Sequence, residues 1–359
     1  MAVTYVHNWL VSIPSLQPSR TQRRVSRGDV AAHAGVSNGT VSHVLNHPER
    51  VRPDTRARVE ASIAELGFVR DEAARHLRSG YSTTIGLMLL DAWNPSFMEI
   101  ARGVEERTAE GAWTVLMSNS ARDTQREQRY LREYAERRVA GLIVIPNDDQ
   151  MSEEAHPLPH GQTPMVLVDR VEHGPDTLSV AVDDLAGGAL IADHLTSLGH
   201  RRIAFVGNPE AARPVRARFT GFEQALAAVE GVELEVIPAP LTIDAGLEVG
   251  RELARRRPSQ RPTAVATAVD LLAIGILQSL LASGIRVPED LSLAGYDDNP
   301  FTSQLSVPLT AVARPHQRMG AAAADLLLCV LQGGTPEQRH LLLQPELIVR
   351  ASTAPRAEA

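Results

Sequence analysis

From Thr83 onward short apolar runs alternate with amphipathic stretches, the pattern of βαβ units and parallel sheets. The runs IGLMLL (85–90), WTVLM, GLIVI and PMVLVD predict strands, and the helix after the first of them carries Phe97, Ile100 and Val104 on one face. A second series opens with SVAVD and a helix over Leu185 to Leu198. It continues through RIAFVG, a helix from Gly221 to Val229, VELEVI, an amphipathic segment from Asp244 to Arg257, AVATAV, a helix around Ile274 to Leu281, and LSLAGYD. Two doubly wound lobes of comparable size account for this order, the first over about 83–182 and 311–333, the second over about 183–308 and 339–353.

Residues 29–46, DVAAHAGVSNGTVSHVLN, are patterned differently. Val41, Val44 and Leu45 recur at i, i+3 and i+4, a narrow apolar stripe beneath a short helix. Ala31, Gly35 and Val41 stand four and six residues apart, as a helix-turn-helix requires: a small residue at the crossing, glycine at the turn, an aliphatic residue under the second helix. Asp29 and Ser37 are the expected N-caps. The opposite face of the second helix carries Gly39, Ser42, His43 and Asn46, with Asn38 at its N-terminal end. An ordinary helix pair with a solvated polar face would be written much the same way.

Charge separates the two readings. Between Arg20 and Gly80 eleven Arg face seven Asp plus Glu, a local balance of about +4 in a chain of net charge −7. A basic module on an acidic body is the footprint of a polyanion-binding head on a soluble carrier. Every basic residue is Arg, for the chain contains no Lys.

At 359 residues with 43% hydrophobic content the chain is globular and holds two or three folding units. Its single Cys, Cys329, lies in the apolar pattern AAAADLLLCVL and reads as a small core residue. One Cys admits no intrachain disulfide, which fits a reducing cytoplasm. Residues 1–19 have no basic start, long apolar run or cleavage site of a signal peptide. Residues 1–25 are expected to be a disordered extension, or the product of a misplaced start codon. No G-x4-G-K-[ST], H-E-x-x-H, G-x-G-x-x-G or Cys pair is present, so no enzyme is expected. His194 and His200, six residues apart, do not share one helix face at metal-ligand spacing and read as surface or capping residues; no metal and no cofactor are expected.

In doubly wound folds ligands bind beyond the carboxyl ends of the strands. That rule selects Asp91, Asn94 and Phe97 after the first strand, Asp169 and Arg170 after PMVLV, Arg218 in RFTGF, Asp270 after AVATAV and Asp297 after LSLAGY. Carboxylates and arginine forks around an aromatic face suit a polyhydroxylated ligand such as a sugar. Asp270 and Asp183 precede helices and could equally be caps. For Arg218 the alternative is an ordinary surface ion pair, with effector contact the preferred reading.

DVAAHAGVSNGTVSHVLN, followed by VRPDTRARVEASIAELGFV and AARHL, resembles the N-terminal module of the LacI/GalR family of bacterial transcription regulators. The resemblance runs from about Ser26 through nearly the whole chain, by way of LLDAWNPSF, VLVDR, SVAVDDLAGG, HLTSLGHRRIAFVG, RFTGF, VPEDLSLAGYDD and PLTAVARPHQRMG. It implies an α + α/β protein: a three-helix helix-turn-helix head over 26–70 whose third helix is Pro53 to Leu66, a hinge helix from Asp71 to Ser79 within a linker over 71–82, then an effector-binding and dimerisation domain over 83–353. That domain is expected as two doubly wound α/β lobes of periplasmic-binding-protein type.

The resemblance also implies residue roles. Asn38 and Gly39 begin the recognition helix; Gly39 has no side chain to read with. His43 stands where many relatives carry Arg; its imidazole can donate to guanine N7 or O6 but cannot make the bidentate fork. Ser37, Thr40, Ser42 and Asn46 are assigned to phosphates. Leu77 matches a hinge leucine wedged into the minor groove, or else packs between paired hinge helices. Arg218 and Asp297 match effector-binding positions, with Arg170, Phe97, Ser96 and Asp270 beside them. Arg27 and Asp71 depart from the usual aliphatic residue and Asn, and Val25 is expected to supply the missing apolar contact. Val269 replaces a common polar ligand contact. The expected partners are a double-stranded DNA operator, a small-molecule effector of sugar type and a second copy of the chain, in the cytoplasm and not at a membrane. The protein would then be a repressor. No leucine heptad follows Val349, so a tail-mediated tetramer is not expected. A non-regulatory sugar-binding protein would account for the two lobes but not for the basic head.

Overall fold

The computed structural model describes residues 25–69, 82–111, 113–147, 163–170, 174 and 177–356. The chain divides into two units, Met1–Tyr81 and Ser82–Ala359. The expected hinge helix with Leu77, and nearly all of the expected N-terminal extension, lie outside the described residues.

The described part of the first unit is three helices: α1 (Arg27–Ala34), α2 (Asn38–Asn46) and α3 (Pro53–Leu66). Asp29 is not the cap of α1. Ser26 is, its Oγ accepting from Asp29 N at 3.2 Å, while the Asp29 carboxylate accepts from Ser26 N at 2.8 Å. This reciprocal capping box satisfies two helix-end donors together. Ser26→Ala is therefore expected to lower the stability of this unit by about 1 kcal/mol, measurable as a shift in its thermal midpoint. Gly35 ends α1 at φ +62°, a left-handed conformation that glycine adopts freely. Ser37 caps α2, as expected, with Oγ accepting from Thr40 N at 3.1 Å. Val30, Ala31, Ala34, Val41, Val44 and Val59 are buried together, and Val25 packs against them in the expected role.

The second unit contains two six-stranded sheets. The first has β1 (Thr84–Leu89), β2 (Thr114–Asn119), β3 (Gly141–Val144), β4 (Met165–Val168), β5 (Leu178–Val182) and β11 (His340–Leu343) in the order β11-β5-β4-β3-β1-β2, parallel throughout. The second has β6 (Arg202–Val206), β7 (Glu233–Ile237), β8 (Ala264–Thr267), β9 (Ser292–Asp297), β10 (Thr310–Ala313) and β12 (Glu346–Ile348) in the order β12-β10-β9-β8-β6-β7, with only β12 antiparallel. Helices α4 (Pro95–Ala109) and α5 (Thr124–Glu136) serve the first lobe; α6 (Asp184–Ser197), α7 (Arg213–Ala227), α8 (Ile243–Arg255) and α9 (Asp270–Ala282) serve the second; α10 (His316–Leu331) returns to pack on α4.

Sheet membership corrects the expected lobe boundaries. Thr310–Ala313 pairs with β9 and belongs to the second lobe, and His340–Leu343 pairs with β5 and belongs to the first. The chain thus crosses between lobes three times: between β5 and α6, between β10 and α10, and between β11 and β12. An apolar run predicts a strand; it carries no mark of the sheet that accepts it.

The crossing helices approach closely because glycines face one another. A Cβ on Gly188 of α6 would lie 1.9 Å from Arg218 O, and one on Gly221 of α7 would lie 1.9 Å from Leu185 O. Gly103 and Gly320 play the same part between α4 and α10. Backbone approach of this kind fixes where the first turn of α6 stands against α7.

Candidate functional site

In the first unit α2 presents Ser37, Asn38, Gly39, His43 and Asn46 as exposed residues and Thr40 and Ser42 as half-buried ones, while Val41 and Val44 face the core. Asn46 Nδ2 donates to Ser42 O at 2.8 Å and to Ser42 Oγ at 3.2 Å. Gly35-Val36-Ser37-Asn38-Gly39 has the G-x-S-x-G spacing of a hydrolase nucleophile elbow, which requires a strand before the serine. Here a helix precedes Ser37 and its Oγ holds the cap of α2, so the spelling carries no catalytic geometry.

In the second unit a buried charge cluster gathers at the carboxyl ends of the strands and on two crossovers. Arg218, on α7, is buried: its Nε donates to Asp184 Oδ1 at 2.9 Å, its Nη1 to Ala268 O at 2.6 Å, and its Nη2 lies 3.5 Å from Asp297 Oδ1. The guanidinium sits over the Tyr296 ring at 4.0 Å from the centroid, and Tyr296 Oη donates to Asp184 Oδ1 at 2.9 Å. Arg314, on the crossover after β10, is also buried. It pairs with Asp169 at the end of β4, and lies 3.5 Å from Asp184 Oδ1 and 3.8 Å from Asp297 Oδ1. Two guanidiniums therefore serve three carboxylates. Burial of such groups is tolerated only where each charge is matched.

Asp297 and Asp169 hold φ values of +106° and +66°, and Asp298 one of +53°. Left-handed conformations outside glycine cluster where surrounding structure enforces a geometry needed for function. Arg350 anchors this turn with a two-pronged bond to Asp298, at 2.6 and 3.0 Å.

Burial pushes Asp297 up to about 6, against the opposing pull of Arg218 and Arg314. Asp270 is raised further above the ordinary aspartate range, first by burial and then by Asp297. It does not cap α9: Asp270 is the first helical residue, and its Oδ2 accepts from Asn299 N at 2.8 Å. Asp183, by contrast, does cap α6, accepting from Ala186 N at 2.9 Å. Burial, then Arg314 and Arg218, hold His316 well below the usual histidine range, so it is neutral.

A pH prediction follows from Asp270. Its folded pKa lies above its unfolded one, so its contribution to stability is complete below the ordinary aspartate range. That contribution is lost at about 1.4 kcal/mol per pH unit as pH rises towards the folded value. Asp270→Asn cannot ionise. Its stability relative to the parent is expected to increase from pH 5 to pH 7 in urea unfolding, and a pH-independent difference would show that Asp270 is not held protonated.

Five buried side-chain atoms have no hydrogen-bond partner among the described residues: Ser96 Oγ, Asp270 Oδ1, Asp297 Oδ1, Arg314 Nε and His316 Nε2. All lie at or just beyond the carboxyl ends of strands. Phe97 is 6% exposed and packs into the first-lobe core. Arg170 is buried beside Asp169 in sequence. The structure thus brings Arg218 and Asp297 into one cluster, as expected, but joined by residues the sequence did not single out: Asp184, Tyr296, Arg314 and His316. The run ARPHQRMG marked that crossover without revealing that its arginine turns inward.

His200 is not a surface histidine. It is buried, with Nδ1 3.0 Å from Thr263 Oγ1 and Nε2 3.1 Å from both Ser292 Oγ and Ala354 O. His194 Nε2 contacts Thr353 Oγ1 at 2.9 Å. Both tie the C-terminal segment to the second lobe. Cys329 is half-buried, not fully in the core. Among the described residues no His, Cys, Asp and Glu group could hold a metal ion, and no helix is long and apolar enough to cross a membrane.

Two family models match the chain: bacterial regulatory proteins of the lacI family over residues 28–71, and a periplasmic binding protein-like domain over residues 192–353. The HTH-type transcriptional repressor PurR of Aliivibrio fischeri strain MJ11 is 33% identical over 340 residues, covering 91% of this chain and 98% of that protein. The lac repressor dimer bound to operator and the anti-inducer ONPF matches with a TM-score of 0.80 and 28% identity, over 92% of this chain and all of that one. The transcriptional regulator CelR in complex with cellobiose matches with a TM-score of 0.67 and 31% identity, over 92% of this chain and all of that one. With both modules in order and the similarity spanning nine-tenths of the sequence, the chain belongs to the lacI family of bacterial transcription regulators, DNA-binding repressors that answer to a small-molecule effector.

Proposed function

We propose that this chain is a homodimeric, cytoplasmic repressor in which Asn38 and His43 read bases of a pseudo-palindromic operator, Ser37, Thr40, Ser42 and Asn46 approach phosphates, and an uncharged polyhydroxylated effector binds beside Arg218 and Asp297. One observation carries the effector assignment: the five buried polar atoms without partners. Asp297 Oδ1 accepts, Arg314 Nε donates, and Ser96 Oγ, His316 Nε2 and Asp270, whose carboxyl burial holds well above the ordinary aspartate range, can do either. Hydroxyl groups, which donate and accept at one atom, satisfy such a mixed set. The near balance of buried Arg218 and Arg314 against Asp169, Asp184 and Asp297 disfavours a strongly anionic ligand. Ser96 and Phe97 from the first lobe, Asp270 from the second, and Arg170 complete the proposed contacts. Cellobiose in the matching complex is a ligand of this class.

The operator is to be recovered by selection from random duplexes and its affinity measured by fluorescence anisotropy. His43→Ala is expected to weaken the selected site about 5- to 150-fold, the span of about 1–3 kcal/mol for a specific base contact, with little effect on non-specific DNA; equal loss on both would move His43 to the phosphates. Calorimetry against neutral mono- and disaccharides, sugar phosphates and nucleosides tests the pocket. Selective binding of a phosphorylated ligand would overturn the uncharged assignment.

A further inference from the structure

Beyond the Nε that it offers to an effector, Arg314 has a second part set by its place in the chain. It stands on the second of the three crossovers, one residue beyond β10 and two before α10. Asp184, which its Nε approaches at 3.5 Å, opens α6 just beyond the first crossover. Asp169, with which its Nη2 pairs, directly follows β4 in the first lobe. Asp297, 3.8 Å away, ends β9 in the second. One guanidinium therefore touches a carboxylate of each lobe and joins two of the strands about which the lobes would turn. Arg314 is 6% exposed, and within the folded chain these carboxylates are its matched charges.

We propose that Arg314 is a clasp that holds the two lobes together in the effector-free protein, with Asp169 as its first-lobe partner and Asp184 and Asp297 as its second-lobe anchors. Hinge closure in two-lobed proteins is set by contacts that exist in one arrangement and not the other. The Arg314–Asp169 pair is such a contact: it spans the lobes, whereas Arg218 pairs Asp184 and Asp297 on the second-lobe side alone. Opening the lobes while Arg314 stays with Asp184 and Asp297 strands Asp169, and the reverse leaves Asp184 and Asp297 with Arg218 as their one arginine. The clasp rests on the effector reading of the cleft only for its consequence: the effector binds to lobes already drawn together, and so meets a preorganised site.

The test uses the full chain without effector. Spin labels at Gln128→Cys on α5 and Gln278→Cys on α9, both exposed, report the interlobe distance in a Cys329→Ser background. Labelled chains are diluted with unlabelled ones so that distances within one copy dominate. The parent should give one narrow distribution. Arg314→Gln and Asp169→Asn should each shift it to longer distances, and the double variant no further than the larger single, because the two residues act through one contact. Asp169→Asn leaves Arg314 with Asp184 and Asp297, and so tests the clasp even if Arg314→Gln fails to fold. An unchanged distribution in Asp169→Asn overturns the proposal. Since no operator or effector enters the measurement, its result is independent of the proposed function, which fails separately if the parent selects no operator.

Discussion

Arg218→Ala lowers the unfolding free energy of the second unit by about 3–5 kcal/mol, the range for removing one partner of a buried ion pair. Three losses act together. The Asp184 carboxylate loses its donor at 2.9 Å, the Ala268 carbonyl loses its donor at 2.6 Å, and Asp297 keeps only Arg314 at 3.8 Å. The Tyr296 face also loses the cation 4.0 Å above it. Arg218→Lys keeps a charge without the planar fork and falls between. The pH dependence has a definite sign: Arg218 holds Asp297 down against burial, so without it Asp297 rises further above the ordinary carboxylate range and the folded variant holds a proton that its unfolded chain releases. Its defect is therefore larger at pH 8 than at pH 5. Urea unfolding of the full chain at both values measures this; equal defects would mean that lost packing, not stranded charge, dominates. The first unit, with its own core of Val30, Val41, Val44 and Val59, should keep its midpoint.

The sequence carried the local parts of this architecture well and the non-local parts poorly, for reasons visible in particular residues. α3 falls at Pro53–Leu66, where the resemblance places it; proline at its first turn and Gly67 just past its end are local features that fit those bounds. Ser37 is legible as a cap because its signal is likewise local. Asp29 reads as a cap from its place before the apolar stripe, although Ser26, three residues earlier, spells the capping-box spacing that the structure shows. β1 to β9 are legible as apolar runs, but β10, β11 and β12 are not read as strands, and the residues of β10 and β11 fall in the opposite lobes from those expected because a strand's sheet is decided by partners far away in sequence. Arg218 and Asp297 were marked by position after strands and by resemblance. Arg314 and Asp184 carried no such mark: Asp184 is half of an Asp-Asp pair whose first member caps the helix, and only the fold shows that the second turns inward. The glycines of α6 and α7 look like helix breakers in one dimension and become contact points in three.

Gly188→Ala tests that last point, and its expected sign is opposite to intrinsic helix propensity. In an open helix, glycine to alanine gains up to about 1 kcal/mol. At Gly188 the new methyl would lie 1.9 Å from the backbone oxygen of Arg218 and 2.8 Å from Phe222 N, where no side chain can yield. The helices must part by roughly an ångström, since carbon and oxygen do not approach much inside van der Waals contact. Gly187, next in line, allows no easy escape, for its own Cβ position lies 1.9 Å from Tyr296 Oη. Overpacking costs typically about 1–3 kcal/mol, and backbone contacts this short put Gly188→Ala at the upper end. The damage reaches the site because Asp184 lies one turn before Gly188 on the same helix and bonds Arg218, the residue whose carbonyl is struck. Gly188→Ala should therefore both lower the second unit's urea midpoint and weaken effector binding. Gly39→Ala in α2 has only Ser37 Oγ within reach, at 3.5 Å, and should leave the first unit as stable or slightly more so. If Gly188→Ala also proved neutral, α6 and α7 would not be held in contact as described, and the Asp184–Arg218 pairing that depends on them would lose its support.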